Sequence, residues 1–246
     1  MSLRTARVDL HMHSCLSPCG DAAMTPASIA GYACLNGLDA IALTDHNISF
    51  NVPAIMACGE AYGINVVPGM ELETSEEIHV VCLFPDFDSL SRFQQTVFDS
   101  YEQQPNKPAI FGDQLIMNED DEIIGEYPHM LLSPTGISID DVFGMVDSLG
   151  GIAYPAHVDR DSYSALTTLG DLPYGYPHSF VEISYDCDPE SLVNRYPSIR
   201  DLTLIHASDA HYLHRIPEKG AELEVEENTP QGIINALKSM KRGLIL

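Results

Sequence analysis

Side chains that can bind divalent metal ions recur along this sequence at the ends of short apolar runs. Imidazole and carboxylate groups are the ligands that zinc, manganese and iron use in mixed sites. A lone histidine after a strand is more often a solvated loop residue, so no single position is specific by itself. The recurrence is specific, because groups from several strands can converge on one pocket. The positions are His11, His13, Asp45, His46, Glu71, His79, His157, Asp209 and His211.

The segment DLHMHSCLSPCGD (9–21) holds the first of these groups. His11 and His13 flank one residue, so alternation along a strand places both rings on one face. Cys15 and Cys19 follow, but no cysteines in the chain have C-x-x-C spacing. With no secretory signal before the first apolar run, the six cysteines predict a reduced, cytoplasmic protein. No apolar run reaches the length of a transmembrane helix.

The elements that must position these residues alternate between strands and helices. This alternation predicts an α/β fold with a mainly parallel sheet, and seven strands favour one barrel over two small domains. We therefore predict a single domain over residues 1–246. In α/β barrels the active site lies at the C-terminal ends of the strands, where most of the metal-capable residues fall. The predicted strands cover residues 7–10, 40–44, 65–68, 78–84, 151–154, 180–183 and 202–205.

Capping signals predict where several helices begin and end. Thr25 and Pro26 are typical of the cap and first position of a helix that Gly37 ends. A second helix is predicted over residues 53–62. Ser138 and Thr229 precede two further helices, and the last has basic residues at its C-terminal end, as the helix dipole favours. Those basic residues are Lys238, Lys241 and Arg242.

Residues 89–136 interrupt the alternation of strands and helices. A helix is predicted from about residue 90 to 103, and a long segment of poor periodicity follows it. We interpret 89–136 as an inserted helix and loop, a kind of insertion that commonly caps the site of an α/β barrel.

The charge balance is strongly acidic, with 36 acidic against 12 basic residues and a net charge of −24. After Arg7 the next basic residue is Arg92. Such a surface repels phosphate backbones and argues against a nucleic-acid partner. An anionic substrate would therefore need metal ions or a few local arginines to hold it.

Six segments together resemble the PHP (polymerase and histidinol phosphatase) family, in the family's order and over nearly the whole chain. They are DLHMHS (9–14), IALTDHN (41–47), VPGMELET (67–74), EIHVVCLF (77–84), GGIAYPAHVDR (150–160) and ASDAHYL (207–213). The resemblance implies a distorted barrel of seven βα units. It also implies a centre of two or three divalent metals, zinc, manganese or iron, that hydrolyses phosphoesters.

The resemblance further implies which residues bind each metal. Four residues resemble the ligands of one metal: His11, His13, Glu71 and Asp209. Glu71 would bridge to a second metal, held also by His79 and His157. His46 and His211 resemble two ligands of a third metal, and Asp45 resembles a residue that supports its neighbours without binding metal.

The remaining ligand of the third metal is where this sequence departs from the family. Members usually have an acid or a histidine shortly after the H-x-H, whereas this chain has Ser17 followed by Pro18-Cys19-Gly20-Asp21. We assign Asp21, at a shifted spacing. Cys19 is the alternative, because thiolate is a good zinc ligand. A turn that supplies no ligand is the third interpretation.

The resemblance implies a metal-dependent phosphoesterase, and we predict that it acts on a small phosphorylated metabolite or nucleotide. Water held between two divalent cations loses a proton near neutral pH and can attack phosphorus. Arg160 and Arg215 are the predicted phosphate contacts, with surface ion pairs as the alternative for each. The predicted catalytic residues are His11, His13, Glu71, His79, His157, Asp209 and His211.

Other functions stay open on these residues. One is a phosphodiesterase that acts as an exonuclease at an isolated 3′ end, and another is a catalytically silent metal-binding regulatory domain. A C–N hydrolase is a further alternative, but its usual bridging lysine lacks a candidate, since the first lysine is Lys107. The sequence leaves the oligomeric state undetermined.

Overall fold

The described residues, 3–241 and 243 of the computed structural model, form ten strands and eight α-helices. The strands are β1 (Arg4–Asp9), β2 (Ala40–Leu43), β3 (Asn65–Glu73), β4 (His79–Leu83), β5 (Leu115–Met117), β6 (Ile123–Glu126), β7 (Ile152–Pro155), β8 (Phe180–Ser184), β9 (Thr203–Ala207) and β10 (Ala221–Val225). The helices are α1 (Pro26–Leu35), α2 (Val52–Tyr62), α3 (Phe87–Asp99), α4 (Pro108–Phe111), α5 (Ile139–Ser148), α6 (Ala165–Leu169), α7 (Pro189–Arg195) and α8 (Pro230–Lys238). Short 3₁₀ turns cover Pro197–Ile199 and Leu213–Arg215.

Six strands form one mixed sheet in the order β10-β1-β2-β3-β4-β7. β1, β2 and β3 run parallel, whereas β10 is antiparallel to β1, and β4 is antiparallel to both β3 and β7. The prediction of a mainly parallel sheet was therefore wrong for this region. Only five residues, 74–78, separate β3 from β4, and a parallel crossover needs a dozen or more.

All seven predicted strands are present in a mixed α/β fold, and helices separate them except between β3 and β4. β8 and β9 pair with each other, parallel and apart from the larger sheet. The seven-unit count of the barrel stays a prediction, because the described strands divide between separate sheets. Three strands were not predicted: the hairpin β5–β6 within 89–136, and β10, whose inward and outward residues alternate along AELEV.

The predicted helix caps are confirmed. The Thr25 hydroxyl accepts the Ser28 N–H, and Gly37 follows the helix with φ +74°. Ser138 caps α5 and Thr229 caps α8 in the same way. Of the basic residues predicted at the end of α8, Arg242 lies outside the described residues. Among the helices that the structure describes, none is long and apolar enough to cross a membrane.

Two hydrophobic clusters cover the two faces of the sheet. On β2, Ile41 and Leu43 join one cluster while Ala40 and Ala42 join the other. The first cluster contains α1, α2, α3 and α5, and the second contains α8 and β10. Burial on both faces explains why β2 is an unbroken apolar run rather than an alternating one.

The segment between α3 and α5 packs onto the loops that follow β1 and β2. Leu16 and Ile48 from those loops form a small cluster with Tyr127 and Leu131. Gln114 is buried, and its amide bonds the backbone of Tyr127, His129 and Leu131. The segment between α3 and α5 is therefore held against the edge of the sheet where the metal-capable residues lie, and its being an insertion stays a prediction.

Candidate metal centre

The strands bring the metal-capable residues to one edge of the fold. His11 and His13 follow β1, and Asp45 and His46 follow β2. Glu71 lies near the C-terminal end of β3, while His79 begins β4 and pairs with Glu73. Because β4 is antiparallel, its first residue meets the last residues of β3. His157 follows β7, and Asp209 and His211 follow β9.

The Glu71 carboxylate lies at the centre of this group and is fully buried. Five imidazoles approach its two oxygens. Around Oε1 lie His11 Nε2 at 3.2 Å, His79 Nδ1 at 3.0 Å and His157 Nε2 at 3.2 Å. Around Oε2 lie His13 Nε2 at 3.2 Å and His46 Nδ1 at 2.9 Å.

Four of these residues have atoms spaced as the ligands of one ion would be. His11 Nε2 is 3.2 Å from His13 Nε2, and Asp209 Oδ1 lies 3.3 Å from the first nitrogen and 3.0 Å from the second. Each of the two imidazoles also lies 3.2 Å from a Glu71 oxygen. Two ligands of a tetrahedral zinc ion are separated by about 3.3 Å, given Zn–N distances of about 2.0–2.1 Å. The donor set therefore fits a shared metal.

Unpartnered buried atoms support the same conclusion. His46 Nδ1, His79 Nδ1, Glu71 Oε2 and Asp209 Oδ1 are buried without an aligned hydrogen-bond partner, despite their close neighbours. Buried polar atoms are rarely left unpaired, because desolvation is then uncompensated. Metal ions at this point would satisfy all four.

Two further groups of donors share residues with the first. His46, Glu71 and His79 form one, and His13, His46 and His211 form the other. His157 was predicted to bind the second metal together with Glu71 and His79, and its Nε2 contacts Glu71. His46 was predicted to bind the third metal, but its Nδ1 also contacts Glu71. The structure thus brings together every predicted ligand except Asp21.

Asp21 is exposed, and its Oδ1 accepts the N–H of Ala23 at 2.9 Å. Cys19 occupies the position next to the centre instead, with its Sγ 3.1 Å from His211 Nε2. Burial raises the pKa of the Cys19 thiol, but His46, His211 and His13 outweigh it and lower that pKa to about 5.

Hydrogen bonds behind the imidazoles set which nitrogen faces the centre. Glu182 Oε1 accepts from His11 Nδ1 at 2.8 Å and from the backbone N–H of His157 at 3.0 Å. A carboxylate only accepts, so His11 Nδ1 carries the proton and Nε2 keeps its lone pair for a metal. His211 is oriented in the same way, because its Nδ1 donates to the Asp209 carbonyl at 2.8 Å.

His13 is oriented through a serine. The Ser17 hydroxyl donates to Asp45 Oδ1 at 2.6 Å and lies 3.0 Å from His13 Nδ1. Since the hydroxyl proton is used on Asp45, Ser17 accepts from His13 Nδ1–H and leaves Nε2 free. Asp45 also accepts the Ser14 N–H and hydroxyl, which agrees with a supporting role.

Glu182 and Ser17 were not predicted from the sequence to have these roles. Glu182 had one available signal, because it is a charged residue within the apolar strand FVEIS, whose first four residues are buried. Ser17 had none, since serine is common in turns.

The backbone is strained at two of the predicted ligands. His157 and Asp209 adopt φ angles of 28° and 46°, which residues other than glycine rarely do. Tyr163, at φ 55°, lies stacked on His79 with ring centroids 4.5 Å apart. Such conformations persist only where the surroundings impose them, and they cluster at functional sites.

The pKa of the buried carboxyl groups shifts in two different directions. Burial raises the pKa of Glu71, but His79, His11 and His46 outweigh it and hold the pKa well below its usual value. Asp209 is similarly held low by His11 and His13 against its own burial. Burial dominates at Glu73, outside the ligand groups, and raises its pKa to about 7. The two predicted ligands are therefore ionised, as metal binding requires.

The two predicted phosphate contacts have different partners. Arg160 Nη1 lies 2.6 Å from Asp209 Oδ2, and the arginine side chain is 42% exposed. Arg215 Nη2 lies 2.9 Å from Asp186 Oδ2, and both of those side chains are more than half exposed. Arg160 therefore forms an ion pair with a predicted metal ligand, whereas Arg215 forms an ion pair at the surface.

A family model of the PHP domain matches residues 9–175. The match covers more than half of the chain and includes His11, His13, His46, Glu71, His79 and His157. This protein therefore belongs to the PHP domain family.

Individual proteins with a similar sequence or structure share less than 30% sequence identity with this chain. A 5′-3′ exoribonuclease from Haemophilus influenzae is 29% identical over 115 residues, which are 45% of this chain and 40% of the exoribonuclease. The lesion-specific endonuclease EndoQ from Pyrococcus furiosus has a similar structure, with a TM-score of 0.65 and 19% identity, over 97% of this chain and 57% of EndoQ. The chain thus spans less than two thirds of each.

A third relative has a length close to that of this chain. It is a protein from Bifidobacterium adolescentis described as a metal-dependent phosphoesterase, with a TM-score of 0.58 and 15% identity. The match covers 93% of this chain and 96% of that protein. These two structures show that the mixed α/β fold of this chain also occurs in EndoQ and in the phosphoesterase.

Proposed function

We propose that this protein is a metal-dependent phosphoesterase. The arrangement around Glu71 carries the proposal: a buried, ionised carboxylate contacted by five imidazoles, with Asp209 completing one group of four donors. Two or three divalent cations bound there would supply an activated water and neutralise phosphate charge.

The residues of the chain have separate tasks in this proposal. Glu71 contacts imidazoles with both oxygens, so it is suited to bridge two positions. Glu182 and the Asp45–Ser17 pair hold His11 and His13 with Nε2 directed inward. Arg160, paired with Asp209, presents its guanidinium at the exposed side of the centre, where it can donate to non-bridging phosphate oxygens. Arg215 would have to leave Asp186 to do the same.

The substrate we favour is a small phosphorylated metabolite or a nucleotide. The net charge of −24 disfavours tracking along a nucleic-acid backbone. The two more closely similar relatives act on nucleic acids by their names, an exoribonuclease and a lesion-specific endonuclease. They make nucleotide-containing substrates the first to test, including short strands with free ends.

One assay separates these possibilities. Metal-reconstituted protein is incubated with phosphomonoesters, phosphodiesters, nucleotides and short single strands, and phosphate release and chain shortening are measured. We expect turnover of at least one phosphoester that depends on added metal. Metal binding without turnover of any substrate would refute the proposed enzymatic activity and favour a regulatory metal-binding domain.

Variants connect the activity to the centre. His13→Ala and Glu71→Ala should each abolish turnover while the far-ultraviolet circular dichroism stays that of the wild type. His214→Ala is the matched control, because this exposed histidine lies three residues after His211. Full activity in either of the first two variants would show that the assigned ligands are wrong.

A further inference from the structure

The turn between β1 and α1 holds Cys19 against the metal centre. Gly20 N–H donates to Ser17 O at 2.8 Å, and Asp21 N–H donates to His211 O at 2.9 Å. A Cβ at Gly20 would lie 2.3 Å from Ser14 O, so only glycine fits this turn. The turn is thus fastened on both sides of Cys19, and one fastening is to the loop that carries His211.

The Cys19 sulfur faces histidines from two other loops. Sγ lies 3.1 Å from His211 Nε2, and His46 and His211 offer ligand nitrogens within 4.8 Å of each other. Because His211 Nδ1 donates to Asp209 O, its Nε2 carries the lone pair that faces the sulfur. His211 also stacks on His13, with ring centroids 4.3 Å apart. One sulfur and two imidazoles therefore meet at the exposed side of the centre.

We propose that Cys19, His46 and His211 bind a zinc ion through one thiolate and two imidazoles, with Cys19 in the role predicted for Asp21. This inference rests on the proposed function only in that the centre binds metals. The tetrahedral edge between a sulfur and a nitrogen ligand of zinc is about 3.6 Å, given Zn–S and Zn–N distances of about 2.3 and 2.0–2.1 Å. Cys19 stands in an exposed turn, so its side chain can make the shift of about half an ångström that this edge requires.

A thiolate changes which metal the site prefers. Soft sulfur ligands favour zinc, whereas manganese prefers carboxylate and water oxygens. The group of His11, His13, Glu71 and Asp209 has only nitrogen and oxygen donors and lacks this preference. The protein should therefore keep one zinc ion when its other positions are filled with manganese.

Cysteine alkylation provides the first test, because the chain contains an internal control. Cys19 and Cys34 are both exposed free cysteines, but Cys34 lies on α1, where its Sγ donates to the Tyr62 carbonyl at 3.7 Å. Zinc should slow alkylation of Cys19 by about tenfold or more and leave Cys34 unchanged, as read by mass spectrometry of digested peptides. Manganese should protect neither residue. Equal alkylation of Cys19 with and without zinc would overturn the proposal.

Metal content and cobalt spectra provide the second test. Cys19→Ser should bind one zinc ion fewer than the wild type and lose the sulfur-to-cobalt charge-transfer band of the cobalt-loaded protein. Cys34→Ser and Asp21→Asn should keep both the ion and the band, and Cys19→Asp should regain the ion without the band. Loss of the ion in Asp21→Asn, or unchanged content in Cys19→Ser, would refute the assignment.

A nucleophilic role for Cys19 would give a different pattern. Cys19→Ser would then keep full metal content and lose turnover, which also overturns the proposal. Neither the alkylation test nor the metal-content test requires a substrate. Zinc protection of Cys19 in a protein without turnover would refute the proposed function alone, and turnover without protection would refute only the thiolate site.

Discussion

Replacing Glu182 by glutamine should weaken metal binding without disturbing the fold. Glu182 Oε1 accepts from His11 Nδ1 and from the His157 N–H, while Oε2 is buried without a partner. In a glutamine at this position, the side-chain oxygen can take the place of Oε1 and the amide nitrogen can take the place of Oε2. The substitution thus retains the shape and both hydrogen bonds, and removes the negative charge behind His11.

The size of the effect follows from the role of that charge. A carboxylate behind a ligating imidazole makes the ring a stronger donor, and losing such a partner typically lowers metal affinity by about 10–100-fold. Each factor of ten corresponds to about 1.4 kcal/mol. Glu182→Ala should cost more, because the His11 Nδ1–H would be buried with no acceptor, a loss of about 1–3 kcal/mol in itself.

The assay is competition for zinc with a chromogenic chelator, followed by turnover at saturating metal. Glu182→Gln should show the weaker affinity and recover most of the wild-type rate once the metal positions are filled. Glu190→Gln, an exposed acid on the first turn of α7, is the matched control and should match the wild type. Unchanged zinc affinity in Glu182→Gln would show that His11 does not bind metal through Nε2.

Three further predictions address the substrate contact, the inserted segment and the pH dependence of stability. Arg160→Ala should lower kcat/KM about 10–100-fold, as expected for charge-assisted bonds to phosphate worth about 1.5–3 kcal/mol, and steady-state kinetics should show a much smaller effect for Arg215→Ala. Asn51 holds the segment that follows α3, because its side chain donates to the Leu115 carbonyl and accepts the Met117 N–H. Asn51→Ala should weaken zinc binding and lower the free energy of unfolding by about 1–3 kcal/mol in urea titrations, and a wild-type free energy of unfolding would contradict this role. Burial lowers the pKa of His178 below its usual 6.5, so the unfolded chain binds a proton that the folded chain does not. The free energy of unfolding of the wild type should therefore fall relative to His178→Gln as the pH drops from about 7 to about 5, and parallel curves would contradict the sign.

The elements of the fold were predictable where local signals agree. The N-caps at Thr25, Ser138 and Thr229 are set by side chains adjacent in sequence, so the helices begin where predicted. The direction of β4 was not predicted, since an apolar run reads the same in a parallel or an antiparallel sheet. The signal for its direction is the five-residue connection before β4, which is too short for a parallel crossover. The edge strand β10 was not predicted, although the alternation in AELEV is a local signal for a strand.

The sequence predicts those residues of the candidate site that lie at the ends of strands. Ligand types at strand ends, together with the family motifs, are enough to place His11, His13, Glu71 and Asp209 in one group, and their donor atoms do lie together. The choice between Cys19 and Asp21 depends on the path of a turn, which spacing does not determine. In the structure the Asp21 N–H bonds His211 O, and this bond turns the Asp21 side chain outward toward Ala23. The neighbouring Cys19 is left facing the imidazoles.

The segment between α3 and α5, predicted to be an insertion that caps the site, is hydrogen-bonded to the residues that support the candidate metal centre. Asn51 is buried, and its amide donates to the Ser14 hydroxyl and the Leu115 carbonyl and accepts the N–H of Met117. The same Ser14 hydroxyl donates to Asp45, the carboxylate that orients His13 through Ser17. A continuous set of hydrogen bonds therefore runs from the hairpin β5–β6 to a predicted ligand. A segment that only restricted access would affect which substrates enter, whereas one bonded in this way should also affect how tightly metal ions would be held at the candidate centre.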